Sequence, residues 1–276
     1  MMKKSRRSFL KVAAISALGI GAAPAISISS SASDSNGTPN AVTGQHKEAL
    51  SAERWGMAID TRKMSGSVAK KIVKACHKAH NVPDFDHEPD EEKFPDTRPV
   101  NHDQEIKWIW EEDFQNAFPD KEDEFLAKKF RHMPFLVTCN HCLHAPCVKA
   151  CPTQATFKRE DGIVLMDFHR CIGCRFCMAA CPFGSRSFNF RDPRPFIKDT
   201  DPDFPTRSKG VVEKCNLCAE RLAQGKLPHC VEASEGAIVV GDLEDPNSDI
   251  RKLLGKNYTI RRKQVLGTEP SVYYIM

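Results

Sequence analysis

The sequence predicts an α+β fold built on an internal repeat, a short strand followed by a cysteine loop, and broken by an acidic insertion. Three observations point to it. Eleven of the twelve cysteines lie between residues 139 and 230, in tight runs. A short β-prone stretch stands ahead of each run: Phe135-Leu136-Val137 before Cys139, Ile163 to Met166 before Cys171, and Gly210-Val211-Val212 before Cys215. A fourth stretch, Met57-Ala58-Ile59-Asp60, has no cysteine immediately after it, so the order reads as an internal repeat with an eroded first copy.

Composition bounds the rest. The chain of 276 residues suits one large or two small domains. A hydrophobic share of 41% and a mean hydropathy of −0.44 exclude a multi-span membrane protein and a disordered chain. The net charge of +4 misleads, because Lys3, Lys4, Arg6, Arg7 and Lys11 fall in residues 1–33, where there is no acid, leaving −1 for the remainder. No nucleic acid is therefore expected as a partner. No nucleophile–base pair and no phosphate-binding glycine loop is present, so chemistry on a bound substrate is not expected.

Residues 1–33 read as an address. Ser5-Arg6-Arg7-Ser8-Phe9-Leu10-Lys11 precedes a weakly apolar run from Val12 to Ile28. That is a basic region, a short hydrophobic region and then small residues. The twin arginine resembles a twin-arginine export signal, which carries folded proteins to the periplasm. Cleavage is expected somewhere in 25–33. The run is rich in Gly, Ala and Ser and holds Pro24, a poor composition for a membrane anchor. No apolar span follows residue 33, so attachment to a membrane would go through partner subunits. Residues 34–54 read as a linker.

An acidic insertion covers residues 84–134. Between 84 and 124 it holds 16 acids against Lys93, Arg98, Lys107 and Lys121. Such a stretch is expected to be a solvated face. Trp108 and Trp110 complicate this, since a pair spaced by two marks one face of a strand or a docking patch for a partner. Further on, Asp161-Gly162 between apolar residues reads as the turn of a hairpin over 156–166.

The cysteine runs carry the chemistry. They are Cys139-x2-Cys142-x4-Cys147-x3-Cys151-Pro152, Cys171-x2-Cys174-x2-Cys177-x3-Cys181-Pro182, and Cys215-x2-Cys218-x11-Cys230. The second has the spacing of bacterial ferredoxins, where three cysteines wrap one cubane and the fourth reaches the other cluster. Proline after the fourth suits a first helical turn, where no amide donor is needed. Zinc is the alternative, but zinc knuckles use two CxxC pairs parted by a longer spacer. No CxxC is followed by His, which excludes haem c. Thiolates bound to iron are not free to form disulfides.

On these motifs the chain resembles the four-cluster polyferredoxin subunits that serve molybdopterin reductases and membrane quinone complexes. Trp55-Gly56-Met57, the segment His77 to Pro83, Cys171 to Cys181 and the tail Leu266 to Tyr274 are similar to the DsrO family. These are the periplasmic iron–sulfur subunits of the DsrMKJOP membrane complexes of sulfate reducers and sulfur oxidisers. The resemblance implies two intertwined ferredoxin-like modules, one from 55–83 plus 208–245 with one cluster, the other from 135–207 with two, and a C-terminal tail at 246–276. It implies three [4Fe-4S] clusters, held by Cys139, Cys142, Cys147 and Cys181; by Cys171, Cys174, Cys177 and Cys151; and by Cys215, Cys218, Cys230 and Cys76. In the family a fourth cluster would use the first three positions of motif one and the last of motif four. Here those are Gly66, Ala69, Ile72 and Ser234, none of them a thiol.

The resemblance further implies an electron-transfer subunit rather than an enzyme in its own right. It would relay electrons between an integral membrane quinone-interacting subunit and a multihaem cytochrome c, beside other subunits of a complex of dissimilatory sulfur metabolism. The alternative is the iron–sulfur small subunit of a molybdopterin reductase. His77, His80, His141, His144, His169 and His229 are expected to support the clusters by hydrogen bonds or to lie on the surface, because four cysteines per cluster leave no vacancy.

Overall fold

A computed structural model describes residues 48–86, 99–121, 125, 130 and 133–276. The export signal, most of the linker and part of the acidic insertion lie outside the described residues. In chain order the elements are β1 (Trp55–Asp60), α1 (Gly66–Ala79), β2 (Ile109–Asp113), α2 (Phe114–Ala117), β3 (Pro134–Thr138), α3 (Pro146–Lys149), β4 (Thr156–Lys158) and β5 (Val164–Met166). They continue with α4 (Phe176–Ala180), β6 (Ser187–Phe188), β7 (Val212–Glu213), α5 (Ala219–Leu222), α6 (His229–Glu232), β8 (Ile238–Asp242), α7 (Asp249–Lys256), β9 (Thr259–Ile260) and β10 (Val272–Ile275).

β1 is buried at every position, because both faces of its sheet are covered. It pairs antiparallel with β8 and parallel with β10, and β9 completes the order β8-β1-β10-β9. Side chains alternate across a strand. Met57, Ile59, Val272 and Tyr274 join the large core with Ala69, Ile72 and Cys76 of α1, while Ala58 and Ile275 pack with Ile250 of α7 on the other side. α1 itself follows from Ser65, whose hydroxyl accepts from the Val68 amide at 3.3 Å, and from Ala69, Ile72, Cys76 and Ala79 along one buried face.

Three two-stranded ribbons carry the cysteine loops. β2 pairs with β3, β4 with β5, and β6 with β7, all antiparallel. The β4–β5 hairpin turns at Gly162, whose φ of +82° favours glycine. The described residues form one compact unit.

Two segments depart from the sequence expectation. Among the described residues of the acidic insertion, the apolar side chains between Ile106 and Phe118 are core, while Asp113, Asp120 and Lys121 stay exposed. Ile106, Trp108, Ile109, Phe114, Ala117 and Phe118 are buried, and Phe114 and Phe118 meet Phe135 at 5.4 and 5.2 Å. Docking through Trp108 is thereby ruled out: it is 1% exposed, stacks on His80 at 4.5 Å and donates from Nε1 to Glu213 at 3.0 Å. Counting charge over the whole window hid this apolar pattern. The residues expected to form a tail supply β10, an inner strand of the main sheet, and cover a cysteine loop: Leu143 and His144 amides donate to the carbonyls of Glu269 and Thr268.

Candidate metal centres

Each cysteine loop leaves the end of a short strand and curls through left-handed residues. β3 delivers Cys139, His141 (φ +40°) turns the chain, and α3, with Pro146 in its first turn, carries Cys147. Beyond β5 the turn is made by Gly173 (φ +69°) and Arg175 (φ +62°), and α4 carries Cys177 with Cys181 at its end. A Cβ on Gly173 would lie 2.4 Å from the Gly210 carbonyl oxygen, so the loop fits there only as glycine. After β7 the turn is made by Leu217 (φ +58°) and Cys218 (φ +49°). Non-glycine residues at positive φ cost about 1–3 kcal/mol each and persist where the surroundings over-determine them.

The fold sorts the thiols into three groups. Cys139, Cys142, Cys147 and Cys181 line one cavity, together with Val164, Phe183 and Arg186. Cys151, Cys171, Cys174 and Cys177 line a second, with Met166, Val212 and Arg175. Cys181 and Cys151 have thus each crossed from their own loop to the other. The third group is built from distant segments. Cys76 on α1 and Cys230 on α6 are buried near Cys215 and Cys218. Burial, then the charges of those three neighbours, push the Cys76 thiol well up. Burial and Cys139 push Cys142 up to about 12, and burial and Cys215 push Cys230 up to about 12. Such groups ionise together only around a cation.

The sulfur spacing separates the candidate cations. Four thiolates on one zinc at about 2.3 Å lie roughly 3.8 Å apart. Among the described residues no three cysteine sulfurs lie within 4.8 Å of one another; the group that does so is His80, Cys218 and Glu220. Instead the four cysteines of each of the first two groups line a cavity of their own, with their sulfurs spread wider than one zinc would hold them. That is the arrangement for a polynuclear cluster. Thr268 fits the same reading: its buried Oγ1 has no oxygen or nitrogen partner and lies against Cys142.

The eroded first copy has a physical form. Ala69 and Ile72, which stand where thiols would be, lie on the buried face of α1, so a helix replaces the loop. Ser234 is committed to the backbone, donating to the Val231 carbonyl at 2.7 Å and accepting from the Ile238 amide at 3.0 Å.

Of the histidines, His80 bridges the third group to its surroundings. Its Nε2 lies 3.1 Å from Glu220 and its Nδ1 3.7 Å from the Cys76 sulfur. His141 Nδ1 accepts from the Val164 amide at 3.1 Å beside the first group. Burial lowers the His77 pKa to about 4. His144 and His169 are exposed, and His229 is half-buried. Sequence reasoning missed Arg186, Lys214 and Thr268. They lie outside the cysteine spacings, and only Lys214, next to Cys215, carried a positional signal.

Comparison with known proteins bears on the same region. A 4Fe-4S dicluster domain family matches residues 131–192, which contain the first two cysteine runs. The chain is 37% identical over 292 residues to the Hdr-like menaquinol oxidoreductase iron-sulfur subunit 1 of Archaeoglobus fulgidus, covering 98% of this chain and 97% of that one. It is 33% identical to the menaquinone reductase iron-sulfur cluster-binding subunit of Nitratidesulfovibrio vulgaris, over 80% of this chain and 88% of the relative. To a putative dimethyl sulfoxide reductase iron-sulfur subunit of Halobacterium salinarum it is 45% identical, over 50% of this chain and 53% of that one.

Proposed function

The chain belongs to the DsrO-like polyferredoxin family of iron–sulfur electron-transfer subunits, and from that premise we propose that it is a three-cluster electron relay exported to the periplasm. One [4Fe-4S] cluster would be held by Cys139, Cys142, Cys147 and Cys181, a second by Cys151, Cys171, Cys174 and Cys177, and a third by Cys76, Cys215, Cys218 and Cys230. Such clusters, when bound, supply one-electron storage.

The observation that carries this reading is the adjacency of the groups. Cys215 of the third group feels the charge of Cys139 in the first, and Cys177 of the second feels that of Cys147 in the first. The Cys139 group therefore neighbours both of the others. The chain's own work is to hold thiolates at the two joints and to exclude water with Val164, Phe183 and Val212.

The partners we propose are an integral membrane quinone-interacting subunit at one end and a multihaem cytochrome c at the other, within a complex of dissimilatory sulfur metabolism. The menaquinol oxidoreductase relative, matched over 97% of its length, supports the quinol side. Residues 55–83 with 208–245 would make the one-cluster module and 135–207 the two-cluster module. The small subunit of a molybdopterin reductase is the second reading. It draws on the dimethyl sulfoxide reductase relative, of which the chain covers 53%.

Anaerobic purification of the mature protein with iron and sulfide analysis tests the cofactor content. Three clusters require about twelve irons per chain. About eight irons would remove the third group from the reading, and zinc in place of iron would overturn it. Reduction by menaquinol in membranes containing the full complex, without a molybdopterin subunit co-purifying, separates the two partner readings.

A further inference from the structure

Both joints between neighbouring cysteine groups contain a buried cation. Arg186 follows Cys181 by five residues and is 5% exposed. Its guanidinium sits beside Cys147 of the middle group and Cys177 of the second group. Nη1 donates to the Thr156 hydroxyl at 3.1 Å and approaches Met166 Sδ at 3.8 Å. Nη2 is buried with no oxygen or nitrogen acceptor.

Lys214 is 2% exposed and occupies the other joint. Its Nζ donates to the carbonyls of Cys215, in the third group, and Val164, in the wall of the middle cavity. Among the described residues neither cation has a carboxylate within ion-pair distance. Arg207 shows the contrast: equally buried, it pairs with Glu213 at 2.6 Å.

A guanidinium does not lose its proton in a protein. Burying it unpaired costs several kcal/mol unless an anion faces it. The groups facing Arg186 are cysteine sulfurs from two different groups, which would be thiolates with a cluster bound. An electron arriving on either side adds one negative charge without forming or breaking a bond, and an unscreened cation nearby stabilises that added charge.

We propose that Arg186 and Lys214 are positioning residues that raise the reduction potentials of the clusters on either side of each joint. The middle site is favoured twice because it faces both cations. This inference rests on the three-cluster reading above.

The test is an EPR-monitored potentiometric titration of the full mature chain, loaded with its clusters and reduced by dithionite. Arg186→Gln keeps a hydrogen-bonding side chain and removes the charge; Arg186→Lys restores it. At a fixed potential, Arg186→Gln should lower the reduced-to-oxidised ratio of the middle and second clusters about tenfold, or 59 mV for one electron. The Cys76-containing cluster should stay put, and Arg186→Lys should recover most of the shift. Lys214→Gln should move the middle and third clusters and spare the second.

Unchanged potentials, or equal shifts of all three clusters in each variant, would overturn the proposal. So would Gln and Lys at 186 behaving alike, including alike in failing to retain clusters. Fewer than three clusters in the unmodified protein would instead defeat the three-cluster reading, so the two failures are distinguishable.

Discussion

Glu213→Leu strands a positive charge in the core. The carboxylate and its partner Arg207 are both fully buried, 2.6 Å apart. Glu213 also accepts from Trp108 Nε1 at 3.0 Å and from the Asn189 side-chain amide. Removing one partner of a buried ion pair costs about 3–5 kcal/mol. Each buried neutral donor left unpaired adds about 1–3 kcal/mol, although such costs are not additive. Arg207 keeps its bonds to the His80, Asn81 and Pro205 carbonyls, which holds the total toward the lower end. About 4 kcal/mol at roughly 2–4 °C per kcal/mol lowers the apparent melting temperature by about 8–16 °C. Thermal unfolding at a fixed scan rate, followed by near-UV circular dichroism, reads this. Because Trp108 stacks on His80, and His80 touches Cys76, iron should leave the Cys76 group before the other two. The double variant Arg207→Met with Glu213→Leu should regain most of the loss, since an apolar pair leaves no buried charge. A single variant melting within about 3 °C of the unmodified protein, or a double variant melting no higher than the single, would refute the reasoning.

Cys76→Ala should remove one cluster of three, lowering iron by about a third while the EPR signals of the other two persist; an unchanged spectrum would make Cys76 a bystander. Ser234→Ala leaves the buried Ile238 amide unpaired and should cost about 1–3 kcal/mol in denaturant unfolding with iron content unchanged. Loss of a cluster in that variant would instead make Ser234 a ligand. Gly173→Ala should deplete the Cys171-containing cluster, because the new Cβ meets the Gly210 carbonyl at 2.4 Å; normal loading would mean that the loop can move aside. Replacing Arg6 and Arg7 by Lys should leave the protein in the cytoplasm with its clusters, and periplasmic accumulation measured by fractionation would contradict the export reading.

Much of this protein was legible along the chain because its chemistry is local. Cys-x2-Cys spacing, a β-prone stretch ahead of each run and Asp161-Gly162 between apolar residues all act over a few residues. β3, β5 and the hairpin accordingly stand where those patterns put them, and β7 begins at Val212, the last residue of its stretch. The eroded first copy was also readable, since the loss of a thiol at residues 66, 69, 72 and 234 is visible in the letters.

What only the tertiary structure decided is everything that depends on distant segments meeting. The window over 84–124 sums to a strongly acidic stretch. Burial, however, is set residue by residue through pairing with β3, and that put Trp108 and Phe118 in the core. The last residues read as a tail until β10 paired in parallel with β1, more than two hundred positions away. Arg186 and Lys214 belong to no spacing at all. The electrostatic role proposed for them would leave no periodic trace, because a charge acts through space, and the space between two cysteine groups exists only once the chain has closed around them.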